Sequence, residues 1–228
     1  MIRGNPHARL VAVAIPLLLL PAAALAQTPI FTPGDAIWGV QVDRNTINVG
    51  VAGLGGGLNN WPPNEAPEHA IDGVGQKYLN FGKTNTGFIT TPSAGPSIAH
   101  SITMWTANDA EPRDPSGYEL WGTNINIVGG GPFSLGDFVL IAADNITLPS
   151  SRNAGGGAPL LAANSLTVNF TNTVFYASYL IVFPDVKDNL NANSMQIAEV
   201  QLDGEIIPAP ATAVLMVLAL AAARRRRE

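Results

Sequence analysis

Between residues 27 and 207 no apolar run goes on for long. Stretches such as Ala36–Val42, Gly87–Thr91 and Phe138–Ala142 are short, rich in β-branched and aromatic side chains, and stopped by Gly, Pro, Asn or Asp. An amphipathic helix repeats its apolar positions at three and four residues over a longer window, and that periodicity is nearly missing here. Short runs set between turn residues are the pattern of strands. Candidate strands are those three together with Lys77–Phe81, Ser97–Thr106, Tyr118–Gly122, Ser165–Phe170, Phe175–Phe183 and Ser194–Leu202. About nine short strands in one domain point to a β-sandwich or barrel. Three loops interrupt them, Gly50–Pro67, Asn124–Gly136 and Pro149–Pro159, each with a glycine triplet. None has the spacing or the strand-to-helix setting of a phosphate cradle.

The ends of the chain read as addresses. Arg3 and Arg9 precede an apolar core from Leu10 to Leu20, and Ala24-Leu25-Ala26 before Gln27 has the small-x-small form that signal peptidase cuts. Residues 1–26 are therefore expected to be a removed signal peptide, with cleavage between Ala26 and Gln27. At the other end Pro208-Ala209-Pro210 is followed by an apolar run from Ala211 to Ala223 and then Arg224, Arg225, Arg226 and Arg227. The run is about thirteen residues, short of the roughly 20 that span hydrocarbon, and the arginines would stay on the cytoplasmic side. Proline motif, short apolar helix and arginine cluster resemble the PEP-CTERM sorting signal, although Ala209 stands where that family has glutamate. The resemblance implies an exosortase-type processing enzyme as partner, transient insertion in the inner membrane, and delivery to the surface or exopolysaccharide matrix of a Gram-negative bacterium. A plain C-terminal membrane anchor is the rival reading.

Taking off both addresses leaves one domain, 27–207, a size that can bury a single substantial core. The whole chain carries a net charge of −5; without Arg3, Arg9, the four tail arginines and Glu228 it becomes −10. Such a surface repels phosphate backbones and attracts divalent cations, so nucleic acid is not expected as a partner. The chain has no cysteine. That excludes thiol nucleophiles, zinc–thiolate clusters and disulfides, and leaves stability to the core, with a metal as the remaining kind of cross-link.

Several phrases resemble the discoidin-like domains, the coagulation-factor type C group. The acidic loop Glu65-Ala66-Pro67-Glu68-His69-Ala70-Ile71-Asp72-Gly73 precedes Tyr78; Ser116-Gly117-Tyr118-Glu119-Leu120-Trp121-Gly122 follows Asp109, Glu111 and Asp114; Tyr176 to Pro184 and Ile197-Ala198-Glu199-Val200 come later, in the family's order. The resemblance implies an all-β, galactose-binding-like jelly-roll β-sandwich, here flanked by the signal peptide and the short C-terminal apolar helix (208–228). It also implies a structural calcium (Ca2+) where the Asp-Gly loop meets the closing strand. Asp72 and Glu199 would supply carboxylates and Gln76 a carbonyl, or Lys77 would place its ammonium where the metal sits. The other reading makes Asp72-Gly73 an ordinary turn pair.

Only His69 and His100 lie in the mature domain, and no serine sits in a nucleophile-elbow phrase, so a triad or a zinc hydrolase finds no support. The one acid–base reading left is the cluster Asp109, Glu111 and Asp114. The domain is therefore expected to be non-catalytic. Trp61, in a polar loop with Asn59, Asn60 and Asn64, is the expected platform for a carbohydrate or exopolysaccharide ligand, with Asn60 and Asn64 as hydrogen-bonding partners. Trp38, Trp105 and Trp121 lie in expected strands and are assigned to the core. The alternative is a matrix protein with a purely structural role and no specific ligand.

Overall fold

The computed structural model describes residues 27–207. The expected signal peptide up to Ala26, the Pro208-Ala209-Pro210 motif, the apolar helix and Arg224–Arg227 lie outside the described residues.

The strands are β1 (Thr28–Pro29), β2 (Ala36–Asp43), β3 (Thr46–Val49), β4 (Val51–Ala52), β5 (Asn60–Trp61), β6 (Tyr78–Asn80), β7 (Thr86–Thr91), β8 (Ser97–Trp105), β9 (Gly117–Thr123), β10 (Phe133–Ser134), β11 (Val139–Asn145), β12 (Ser165–Asn169), β13 (Ser178–Phe183), β14 (Met195–Ile197) and β15 (Glu199–Ile206). The helical segments among the described residues are short 3-10 turns. Two antiparallel sheets form the body: a four-stranded one in the order β1-β15-β8-β12 and a seven-stranded one in the order β10-β3-β2-β7-β13-β9-β11. They pack face to face as a jelly-roll β-sandwich. Two small pairs, β14–β6 and the parallel β4–β5, close one end.

Alternation along β13 shows why the larger sheet is stable on both sides. Tyr179, Ile181 and Phe183 point into the main core with Phe88, Leu120, Met104 and Leu202, while Leu180 and Val182 belong to a second apolar cluster on the outer face. Each such fully buried side chain contributes roughly 1.5–3 kcal/mol relative to exposure. On the outer face one row crosses five strands in register: Trp38 opposite Ile89, Ile89 opposite Leu180, Leu180 opposite Trp121, and Trp121 opposite Leu140. The segment 124–138 covers this side, with Ile127, Phe133, Leu135 and Phe138 in the same cluster. The loop expected at Asn124–Gly136 is thus a cover, part of which pairs with β3 as β10.

The expected strands all appear, with shifted limits. Ser194–Leu202 is two strands, because Ile197 pairs with Tyr78 whereas Glu199 pairs with Trp105. Between them Ala198 donates its N–H to the Trp105 carbonyl. β3 is a strand that the sequence reading missed: it returns from β2 through a two-residue turn in which Arg44 adopts φ 55°. Arginine is not among the residues that usually mark such a turn.

The two ends of the sandwich differ. β9 and β15 start, and β8, β11 and β13 approach or finish, at an end crowded by the long connections 50–77, 106–116, 146–164 and 184–198. At the opposite end lie the connections 92–96, 124–128 and 170–177. Ile207, the last described residue, donates its N–H to the Pro96 carbonyl there.

Candidate functional site

At the loop-rich end the acidic loop folds as the 3-10 turn Pro67–Ala70 followed by a tight turn at Gly73, whose φ of 78° suits glycine. Asp72 Oδ1 accepts from Val74 N at 3.0 Å, and Asp72 Oδ2 lies 2.8 Å from His69 Nδ1. The Gly73 N–H donates to Glu199 Oε2 at 3.0 Å. Loop and closing strand therefore meet, with Asp72 and Glu199 as neighbours. Glu199 is 3% exposed and has no cationic partner among the described residues. Burial, and then the charge of Asp72, push its pKa up to about 8 against the pull of the Gly73 N–H.

This donor set fits calcium in part. A divalent cation would supply the counter-charge that buried Glu199 lacks, but calcium takes six to eight oxygens, so most would have to come from backbone carbonyls and water. Among the described residues no three His, Asp or Glu side chains gather as a ready metal cluster. Gln76 does not join the pair: its Nε2 donates to the Asn64 carbonyl at 2.5 Å and its Oε1 accepts from Gly156 N at 3.1 Å. Its amide ties two loops together instead of facing the carboxylates. Lys77 also does not stand in for the metal. Its buried ammonium lies 2.8 Å from Asp109 Oδ1, 3.3 Å from Gln196 Oε1 and 3.6 Å from Glu65 Oε1.

The expected sugar platform is corrected by the structure. Trp61 is 8% exposed, and its ring meets Tyr78 edge to face at 5.9 Å. The loop does not stay open, because Val51–Ala52 pairs in parallel with Asn60–Trp61 and draws the indole inward. Gly39 and Gly50 make the space: a Cβ on either would sit 2.5 or 2.6 Å from the indole. Asn60 is buried as well, and its Oδ1 has no hydrogen-bond partner. Asn64 gives its carbonyl to Gln76. Asn64 is exposed, but with Trp61 and Asn60 buried it has no aromatic face beside it for a sugar ring to stack on.

The three acids of the acid–base reading, Asp109, Glu111 and Asp114, are held by cations. Asp114 is fully buried, takes Arg152 in a bidentate pair at 2.7 Å on both oxygens, and has Lys187 at 3.3 Å. Glu111 accepts from Ser150 and Lys187 and is lowered by both hydrogen bonds. At Asp109 burial pulls the pKa up, and the hydrogen bond and charge of Lys77 outweigh it, so the net direction is down. A general acid for glycoside cleavage needs the opposite shift.

An open cleft of about 360 Å³ lies near this group, where β9, β11 and β13 come to the loop-rich end. Ser116 to Glu119, Ala143 to Asn145, Pro184 and Asp185 line it. Glu119 Oε2 accepts from Trp121 Nε1 at 3.0 Å, Asp144 Oδ1 accepts from Asn145 N at 2.8 Å, and Asp185 Oδ1 accepts from Val186 N and from the Asn189 amide. The sequence reading used Tyr118-Glu119-Leu120-Trp121 as a strand and as a phrase of the discoidin-like resemblance, not as part of a site. The signal available was the pairing of that strand's acidic start with the Asp144-Asn145 finish of β11.

No protein-family model matches the chain, and no curated protein matches it. Among solved structures it is similar to a family 32 carbohydrate-binding module of NanJ from Clostridium perfringens, in complex with galactose, at 11% identity and a TM-score of 0.49, covering 78% of this chain and 99% of that one. A second Clostridium perfringens module, in complex with GalNAc-β-1,3-galactose, matches at 12% identity and a TM-score of 0.48 over 77% of this chain and 99% of that one. A fucose-binding module of Streptococcus pneumoniae matches at 12% identity and 0.44 over 78% and 96%. What those modules bind is a property of those modules.

Proposed function

We propose that residues 27–207 are an exported, non-catalytic saccharide-binding module, with the cleft between β9, β11 and β13 as its site. One observation carries the reading: a cleft at the lower end of ligand-sized pockets, roughly 300–1,000 Å³, is rimmed by Glu119, Asp144, Asn145 and Asp185. Carboxylates and amides are the groups that accept and share hydrogen bonds with sugar hydroxyls. The same acids repel anionic polymers, so the ligand class is a neutral or amine-bearing saccharide. In this reading the tail 208–228 sorts the protein to the cell envelope or its exopolysaccharide, and calcium bound by Asp72 and Glu199 fixes the acidic loop to β15.

The test is binding of the purified protein to a panel of neutral, amino and uronic polysaccharides that includes the producing cell's own exopolymer. Asp144→Ala on the exposed rim is expected to abolish saturable binding without changing the melting temperature. Absence of binding to every polymer would sink the module reading and favour a structural matrix role. For the metal, calcium is expected to raise the melting temperature of the wild type but not of Asp72→Ala. Identical melting in calcium and in chelator would remove the site.

A further inference from the structure

The end opposite the cleft differs from the rest of the surface in its chemistry. Connections 92–96, 124–128 and 170–177 contain no Asp, Glu, Lys or Arg. All six lysines and arginines of the described residues (Arg44, Lys77, Lys83, Arg113, Arg152 and Lys187) sit in turns and loops of the other end. Apolar side chains stand out of these connections: Val128 is 74% exposed, Ile125 52%, and Val174 and Phe175 49% each. Their segments are tied to one another. Ser97 pairs with Tyr176, Ala177 N donates to the Thr123 carbonyl, Ser178 Oγ donates to the Ile125 carbonyl and Thr91 Oγ1 donates to the Ile127 carbonyl. Ile207 N donates to the Pro96 carbonyl, one residue from Ser97. The apolar run 211–223 thus begins four residues beyond the same end.

We infer that this end is a lipid-facing surface: while the tail is in the bilayer, Ile125, Val128, Val174 and Phe175 enter the interfacial layer and seat the sandwich upright on the membrane. The inference rests on the reading of 208–228 as a membrane segment and is independent of the saccharide site. Two physical terms favour it. Burial of apolar side chains in the interface is favourable in proportion to area, and the three connections that carry them have no ionised side chain to desolvate; the acids nearby are Asp35, buried and hydrogen-bonded to Ser93 N and Thr32, and Glu205, on β15 with His100 Nε2 at 3.4 Å. The tether supplies the third, since a surface fixed within a few residues of an inserted segment meets lipid at a high effective concentration. Apolar side chains also protrude from the loop-rich end, at Leu54, Leu58 and Leu190, but acids and all six cations surround that end.

Because the chain has no cysteine, single ones report position cleanly. Full-length protein carrying Phe175→Cys, Val128→Cys or Leu190→Cys, each labelled with a polarity-sensitive dye, is reconstituted with phosphatidylethanolamine–phosphatidylglycerol vesicles and floated. The expected result is blue-shifted emission and quenching by spin-labelled lipid at 175 and 128, with neither at 190. Val128→Asp together with Phe175→Asp should remove the shift from a dye at Val174→Cys while flotation persists. Flotation with silent probes at 175 and 128, or with equal quenching at 190, overturns the contact and leaves the tail reading standing. Failure to float overturns both.

Discussion

Glu199 is the residue whose environment is most at odds with its charge. Its carboxyl is raised from 4.5 to about 8 by burial and by Asp72, so between those values the folded protein holds a proton that the unfolded chain has released. The stabilisation from this group is complete below about pH 4.5 and is lost as pH rises toward about 8, on the order of 4–5 kcal/mol in all. In chelator, urea denaturation at pH 5 and pH 8 is expected to show this loss, and Glu199→Gln should flatten it. Calcium would act in the opposite sense, because it binds the ionised form and its effect grows with pH. At Asp114 the expectation concerns size. Truncation to alanine leaves Arg152 and Lys187 without their shared partner and should cost about 3–5 kcal/mol in chemical denaturation. Trp61→Ala distinguishes core from platform: it should lower stability by about 3–5 kcal/mol while saccharide affinity per folded molecule is unchanged.

Among the elements, the segment 124–138 makes the clearest prediction. It has little pairing of its own beyond β10, yet Ile127, Phe133, Leu135 and Phe138 cover the row that runs from Trp38 to Trp121. Phe138→Ala is expected to loosen it, seen as faster amide exchange across 124–138 and a red-shifted tryptophan emission, with the inner core still protected. Unchanged exchange would mean that the cover is held by its backbone alone. This segment also shows where sequence reading stops. β2, β7, β8, β9 and β13 were legible because each presents a run of strand-forming residues between turn signals. The cover and β4–β5 were not, since two-residue pairings inside Gly- and Asn-rich loops have no periodicity to read. The same limit displaced the sugar platform. Trp61 looked exposed because its neighbours are polar, whereas its position is decided by Gly39 and Gly50, where a larger side chain would block the indole. Asp72 and Glu199 were legible as a pair because the acidic loop and the closing strand each have a recognisable phrase. The excursion of Gln76 to Asn64 and Gly156 was not, because it depends on a loop far along the chain.

At the scale of the molecule, the sandwich separates chemistry by end, with the lysines and arginines, the cleft and the buried ion pairs at one and connections free of ionised side chains at the other. That division has a practical side. The described lysines, Lys77, Lys83 and Lys187, all belong to the end that holds the cleft, and Lys187 is two residues from Asp185 of its lining. Coupling the protein to a biosensor through lysine amines would turn the cleft toward the matrix and hide it from a polymer in solution. Attachment through the carboxyl-terminal side, beyond Ile207, would hold the same molecule the other way up. An assay that ignores this polarity could record silence from a fully competent protein.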